Sequence, residues 1–409
     1  MNARARFIAL FTAGIVSVFG TRVSLLAIPW LVLVTTGSAT KMGIVAGTET
    51  LPYLLSGVLA APLADRFGIR RTTIATDAVS ALAMAGITAA PHLGFGWLLA
   101  LVAIAGAMRG LGDRVKNVML RPLAEEAGIK LIRVTSAYEG LSRTATLLGS
   151  AAGGLLIAWL GPLGAVWVDA ASFAACALVV AFLVRLPQDA FPKPESREPY
   201  FTALRGGFRA LWQDGLLPSM IVMLFVLNLF NQAGIAVFIP LWVNEVLHSP
   251  QALGLVLGTF GVGAVLGSVV FTAIAPKLPM YQTFMLGAVF ASAPRLLIMG
   301  FTHNVVLVCV VAFLSGLAMA AVNPVVGAML YERVPPELQT RAFGACTAIT
   351  FTGIPIGGVL GGLAVTGLGI DTAIVVAGLL CLLATVALYG WSWRRGAEAT
   401  ETAAVSAAQ

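Results

Sequence analysis

Ala61-Pro62-Leu63-Ala64-Asp65-Arg66-Phe67-Gly68-Ile69-Arg70-Arg71 gathers one acid and three arginines into a short stretch, and the chain on either side of it is almost free of charge. The apolar run before it covers about 42 to 63 and the run after it about 72 to 90. Each is close to the ~20 residues that a helix needs to cross ~30 Å of hydrocarbon. A charged turn between two such runs reads as the water-exposed end of a membrane hairpin.

The pattern repeats along the chain. Apolar runs near 7 to 34, 42 to 63, 72 to 90, 95 to 115, 135 to 160, 165 to 184, 217 to 242, 252 to 275, 281 to 299, 305 to 330, 342 to 366 and 372 to 392 predict twelve spanning helices. Of 409 residues, 59% are hydrophobic and 11% charged, against roughly 25% charged in a soluble domain. The runs are unbroken rather than alternating, which excludes a strand barrel. The net charge of +7 is spread singly and forms no patch, so no nucleic-acid partner is expected. With the amino terminus in the cytoplasm, basic residues from Arg4 and Arg6 through Arg70, Lys116, Arg133, Lys277 and Arg333 to Arg394 fall inside, and Lys41 alone falls outside. That is the positive-inside bias, and a miscounted span would scramble it. It places the protein in the cell membrane as a multi-pass chain with both termini cytoplasmic. The first apolar run continues to about Val34 without a small-residue cleavage site, so it reads as a retained span. All eight tryptophans sit near predicted span ends, as interfacial rings should, and His92, His248 and His303 fall in outer loops.

The Pro-rich, charged stretch at 185 to 216 divides the chain into an amino-terminal six-helix bundle, 1 to 184, and a carboxy-terminal one, 217 to 395, followed by a disordered cytoplasmic tail, 396 to 409. The halves echo one another. Gly43-Ile-Val-Ala-Gly47-Thr48 recurs as Gly254-Leu-Val-Leu-Gly258-Thr259, and Gly149-Ser-Ala-Ala-Gly153-Gly154 recurs as Gly353-Ile-Pro-Ile-Gly357-Gly358, at offsets of 211 and 204. Two matches at nearly one offset point to duplication, an arrangement used by secondary transporters.

The loop quoted first resembles the signature loop of the major facilitator superfamily, with Ala61 in place of the leading Gly and Ile69 where the first basic residue is usual. Ala27-Ile28-Pro29-Trp30-Leu31-Val32-Leu33, Ala137-Tyr138-Glu139-Gly140 and Val168-Asp169-Ala170 are similar to the twelve-span drug:proton antiporter branch, in particular macrolide-efflux and mycobacterial tap-like exporters. The resemblance implies an all-α polytopic membrane protein of the major facilitator fold, two pseudo-symmetric six-helix bundles, working as a monomer by alternating access. It also implies that Asp65, with Arg66, Gly68, Arg70 and Arg71, forms a conformational latch, Asp65 meeting the start of span 11 near Arg341 and Ala342. The arginines read equally as topology anchors.

Ionisable groups at bilayer depth cost ~3 kcal/mol or more and need a reason. Arg22 lies about 12 Å along span 1 from Trp30, beyond easy reach of either surface. An acid or an anionic ligand group must neutralise it. Arg109 with Asp113, and Glu139 with Arg143, are spaced to pair on one helix face, either as self-contained neutral pairs or as parts of a proton relay. The branch often has an acid near positions 21 and 22, where this chain has Thr21 and Arg22. Asp113, Glu139, Glu49 and Asp77 are therefore the proton-site candidates, Asp113 first, because span 4 lines the pocket in the family. Asp169 reads as structural, and Arg295 as a peripheral residue that snorkels. Asn228, Asn231 and Gln232 share a face of span 7, and Asn323-Pro324 interrupts span 10; these are the substrate-cavity candidates, alongside the use of such amides to join helices.

The function this predicts is proton-coupled efflux of amphipathic small molecules or antibiotics, with no cofactor and no metal. Import or facilitated passage of a nutrient or siderophore is the alternative, and a membrane enzyme or sensor a distant one. No phosphate-binding Gly-rich loop ending in Lys-Ser/Thr occurs, nor a nucleophile with its base at depth, so neither a primary pump nor an enzyme is expected.

Overall fold

Inside hydrocarbon a backbone has no water to bond, so each segment must close its own hydrogen bonds, and a chain this apolar is driven into helices. The computed structural model describes residues 2–129, 131–184 and 200–407. Among them there is no strand, and nine helices are long and apolar enough to cross a membrane. One of the nine, Gly140–Phe182, is two spans, because Gly161 leaves helical geometry at φ 72 and ψ 168 and Pro162 starts the next rod. Ala39–Phe67 and Ile69–Ile87, helices outside those nine, supply spans 2 and 3. All twelve predicted spans are present as helices.

Several run further than their apolar cores. Span 4 extends over Phe95–Glu126, span 11 over Pro336–Leu368, and span 12 continues to Ala407. Of the expected linker, 185–199 lies outside the described residues, and Tyr200–Gln213 forms a separate helix. Proline explains two irregular spans. Span 10 is split into Val305–Met319 and Val322–Arg333, since Pro324 cannot donate to the preceding turn. Span 7, Leu217–Leu247, contains two π-helical turns, Gly234–Phe238 and Val243–Leu247, on either side of Pro240. The wider turn accommodates a carbonyl that Pro240 leaves without its donor.

By its internal contacts the chain divides into two units. The first is Met1–Lys193 with Ile235–Gly258, and the second is Pro194–Gly234 with Thr259–Gln409. The boundary passes through span 7 at its first π turn. In the first unit, Phe7, Leu10, Met119, Leu123 and Val180 form a buried core. The repeated glycine motif docks helices there: Gly149 faces Phe19 and Arg22, Gly153 faces Val23 and Leu26, and Gly154 faces Pro250 and Gly254. In the second unit Met220, Leu224, Phe284 and Met329 are core residues, and the copy of the motif does the same work. Gly353, Gly357 and Gly361 lie against Phe225, Leu229 and Ala233 of span 7. Without a hydrophobic drive between helices in lipid, such backbone-to-backbone packing is what holds spans together.

Two tryptophans depart from the expected interfacial role. Trp97, Trp159, Trp167 and Trp212 are exposed, but Trp30 and Trp242 are buried in the first unit, because neighbouring spans cover the helix ends that carry them.

Span 7 begins at a built cap. Asp214 Oδ1 accepts from the amides of Leu216 and Leu217 at 2.8 and 2.9 Å, and Oδ2 accepts from Arg333 Nη1 at 3.0 Å. Burial pushes this carboxyl upward, but the two amides and Arg333 outweigh it and hold its pKa below the ordinary value. A depressed carboxylate contributes stability above its unfolded pKa of about 3.9 and loses it as pH falls through the folded pKa. Asp214→Asn should therefore cost about 1 kcal/mol at neutral pH. In unfolding measured across pH, the gap to the parent protein should close below the usual aspartate range. Gly357→Ala, whose methyl would meet the Leu229 backbone, should lower stability by about 1–3 kcal/mol. Gly367→Ala, with open space at that position, should not; thermal unfolding in detergent checks both.

Candidate functional site

Ionisable side chains of five spans converge inside the first unit. Arg109, in the middle of span 4, is 6% exposed and donates from Nη1 to Glu49 Oε1 of span 2 at 2.7 Å; its Nη2 lies 3.6 Å from Asp169 Oδ2 of span 6. Asp169 is fully buried and also accepts from Ser24 Oγ of span 1 at 2.5 Å and from Ser172 Oγ at 3.2 Å. Two turns along the same face of span 4, Lys116 Nζ donates to Asp77 Oδ1 of span 3 at 3.0 Å and lies 3.6 Å from Asp113 Oδ1. Phe173 separates the two cations, its ring centre 5.7 Å from the Arg109 guanidinium and 5.8 Å from the Lys116 ammonium.

Small residues bring the charges into range. Side chains at Gly106 and Gly110 would collide with the backbone of Glu49 and Tyr53, and one at Gly112 with Thr76. One at Gly20 would strike Asp169 and Ser172. Spans 1, 2 and 3 thus close on their partners where the ion pairs form.

The four carboxylates are not equivalent. Asp169, Asp77 and Glu49 have side chains 0, 2 and 4% exposed, whereas that of Asp113 is 40% exposed, with Tyr53 Oη 3.5 Å away. Arg22, half-buried, sits within electrostatic reach of Asp113, Tyr53 and Arg109, and its Nε has no hydrogen-bond partner among the described residues. Glu49, Asp77, Asp113 and Asp169 face Arg22, Arg109 and Lys116. Among the described residues each buried cation is thus shared by two carboxylates, Arg109 by Glu49 and Asp169 and Lys116 by Asp77 and Asp113, and the exposed Arg114 also lies within electrostatic reach of Tyr53.

The structure corrects several expectations. Arg109 and Asp113 do not pair with one another: Arg109 turns to Glu49 and Asp169, and Asp113 to Lys116. Asp169, read as structural, shares Arg109 with Glu49. Lys116 is not an inner-loop charge: nothing breaks the helix before Ala127, so it stays inside the bundle. Arg295 does not snorkel. It is 1% exposed, donates from Nη2 to Asn231 Oδ1 at 2.9 Å, and lies over the Phe260 ring at 4.7 Å. Of the amides on span 7, Asn231 is thus occupied, and Asn228 Nδ2 donates to the Thr350 carbonyl at 3.0 Å. Both join helices. Gln232 is half-buried and Asn323 exposed. The side chains of Glu139, Arg143, Asp65 and Arg66 lie outside the described residues. Gly68 takes φ 85 between spans 2 and 3, and Arg71 is exposed. Arg70 donates from Nε to the Val180 and Val184 carbonyls at 3.3 and 2.7 Å, and from Nη2 to Ala181, capping span 6.

Asp169, Lys116, Tyr53 and Ser24 were the members that sequence reasoning missed. A charge count would have found the first two, since Arg109 and Asp77 each required a partner at depth.

Comparison with known proteins agrees with this architecture. Residues 3–407 match the family model described as transmembrane secretion effector. The multidrug efflux pump Tap of Mycobacterium tuberculosis is 28% identical, with 93% of each chain covered. The multi-drug resistance efflux pump PmrA homolog of Lactococcus lactis is 24% identical over 76% of each. Among solved structures, the nucleoside transporter NupG superposes with a TM-score of 0.75 at 13% identity, covering 96% of this chain and 99% of that one.

Removing one member of a buried pair strands the other. Lys116→Met should destabilise the protein by about 3–5 kcal/mol, and adding Asp77→Leu should recover most of that loss. Denaturant unfolding of the parent, the single variant and the double variant measures the difference.

Proposed function

The chain belongs to the transmembrane secretion effector family of major facilitator transporters, and from that premise we propose that it is a proton-driven exporter of amphipathic small molecules. It works by alternating access in the cell membrane, with both termini in the cytoplasm. The names of the efflux-pump relatives support the direction and the substrate class. One observation carries the proton: among the described residues two buried cations, Arg109 and Lys116, are each shared by two carboxylates, so a proton on one carboxylate of a pair relieves the excess of negative charge around its cation. In a low-dielectric interior an uncompensated charge is costly, and proton binding is the cheapest way to remove it.

Asp113 is the port for that proton, being the one carboxylate of the four with substantial exposure. When neutral it leaves Lys116 wholly to Asp77 and withdraws the negative charge nearest Arg22. Arg22 is then the least compensated cation in the cluster, and its Nε is without a partner. Binding and release of a proton thereby change the field that a solute meets beside Arg22 and Tyr53. Gln232 and Asn323, whose side chains make no hydrogen bond among the described residues, are the polar contacts left for a solute in the second unit. Asp65, Arg66, Gly68, Arg70 and Arg71 act as the conformational latch, with Arg70 fastening it to the end of span 6. The proton gradient supplies the energy without a cofactor, and the monomer is the working unit.

Cells expressing the protein should accumulate several-fold less of one or more compounds from a panel of fluorescent dyes and antibiotics, and a protonophore should restore accumulation. Asp113→Asn should abolish the effect at equal expression. Export that persists with the protonophore would remove the proton from the mechanism, and raised accumulation would reverse the direction to uptake.

A further inference from the structure

The helix Tyr200–Gln213 has a face that remains exposed among the described residues of its unit. Its inner side is fixed: Gly207 lies against the backbone of Arg341 and Ala342 in span 11, Gly206 lies near the Arg341 side chain, and Leu211 is fully buried in the core of the second unit. On the other side Phe208 and Trp212 remain 45 and 42% exposed, although they stack on one another with ring centres 4.4 Å apart and planes within 9°. Arg205 and Arg209 are exposed beside them. The four residues are spaced four apart in pairs, which sets two guanidiniums and two rings along one strip. Arg205, Gly206, Phe208, Arg209, Trp212 and Gln213 line an open recess of about 640 Å³.

Arg205 and Arg209 make no ion pair among the described residues. The sequence from Tyr200 to Gln213 contains no Asp or Glu, and Asp214, which follows it, is taken by Arg333 and by two amides. An aromatic pair suits the boundary between headgroup and acyl chain, and guanidiniums suit the phosphate of an anionic lipid. Position supplies the occupant. Asp214 turns this helix directly into Leu217, the first residue of span 7, so the strip lies at the level where hydrocarbon begins. A helix with one basic, aromatic face at that level is built to lie in the interface.

We propose that the recess along Tyr200–Gln213 binds an anionic phospholipid, its headgroup phosphate held by Arg205 and Arg209 and the upper part of its acyl chain laid on Phe208 and Trp212. The site is separate from the charge network of the first unit, and it makes the second unit sensitive to the lipid composition of its membrane.

The test uses the full chain in nanodiscs of phosphatidylcholine alone or mixed with phosphatidylglycerol, with amide hydrogen exchange followed across Tyr200–Gln213. Exchange there should slow when phosphatidylglycerol is present, while spans 1 to 6 are unaffected. R205Q/R209Q should abolish the slowing, at roughly five-fold in lipid affinity per arginine, and R205K/R209K should keep most of it. Inorganic phosphate added to phosphatidylcholine discs should not reproduce it. Equal exchange in both lipids would overturn the proposal, as would slowing by phosphate alone or slowing that survives R205Q/R209Q. The lipid comparison on the parent chain decides the matter even if a variant fails to fold.

Discussion

Arg109 is held between Glu49 and Asp169 where almost no solvent reaches, and much of the first unit is arranged to make that possible. A guanidinium at this depth is tolerable only if carboxylates are brought to it, and those come from different helices. Span 2 must therefore approach span 4 at a fixed height, which glycine at 106 and 110 permits. Span 1 must come close enough at Gly20 for Ser24 to bond Asp169. Lys116 repeats the demand two turns along and draws in span 3 through Asp77. The ion pairs and the small residues are two halves of one solution, because lipid offers helices no hydrophobic reason to associate.

The second unit solves a similar problem with different chemistry. Arg295 is as buried as Arg109, yet its neighbours are the neutral amide of Asn231 and the face of Phe260. It makes no ion pair among the described residues, and its Nε and Nη1 make no hydrogen bond there. The acids of this unit's apolar helices, such as Glu332 and Asp371, sit at helix ends. Groups able to exchange protons are thus gathered in one unit, while the other carries a fixed positive charge stabilised by an amide and a ring.

The twelve spans were legible because helix length and charge placement are set by the bilayer, which imposes one thickness on every crossing. The break in span 10 just before Asn323-Pro324 was legible for a local reason, the missing proline donor. The site was legible only in part. Arg22, Arg109, Asp113, Glu49 and Asp77 stand out as charges in apolar surroundings, but their partners depend on which helices touch, and spacing within one helix misdirects. Arg109 and Asp113 are four apart and still choose other spans. Lys116 was hidden because a span was ended at its last apolar residue, although helices continue until a breaker stops them. Asn228 and Asn231 fit the pattern of a ligand face, and the nearest backbone carbonyl and guanidinium claimed them first.

The π turns of span 7 bear on how this chain is compared with its relatives. A bond from residue i to i+5 encloses one residue more than an α turn does, so each such turn behaves as a single-residue insertion buried within a helix. Every side chain beyond it is rotated by about 100° relative to an uninterrupted rod. Span 7 carries one insertion beginning at Gly234 and a second at Val243. A relative with a regular helix here would align column by column without a gap, yet its residues after this point would face different neighbours. Homology read across Ile235–Leu247 must be corrected for register before any residue is taken as equivalent.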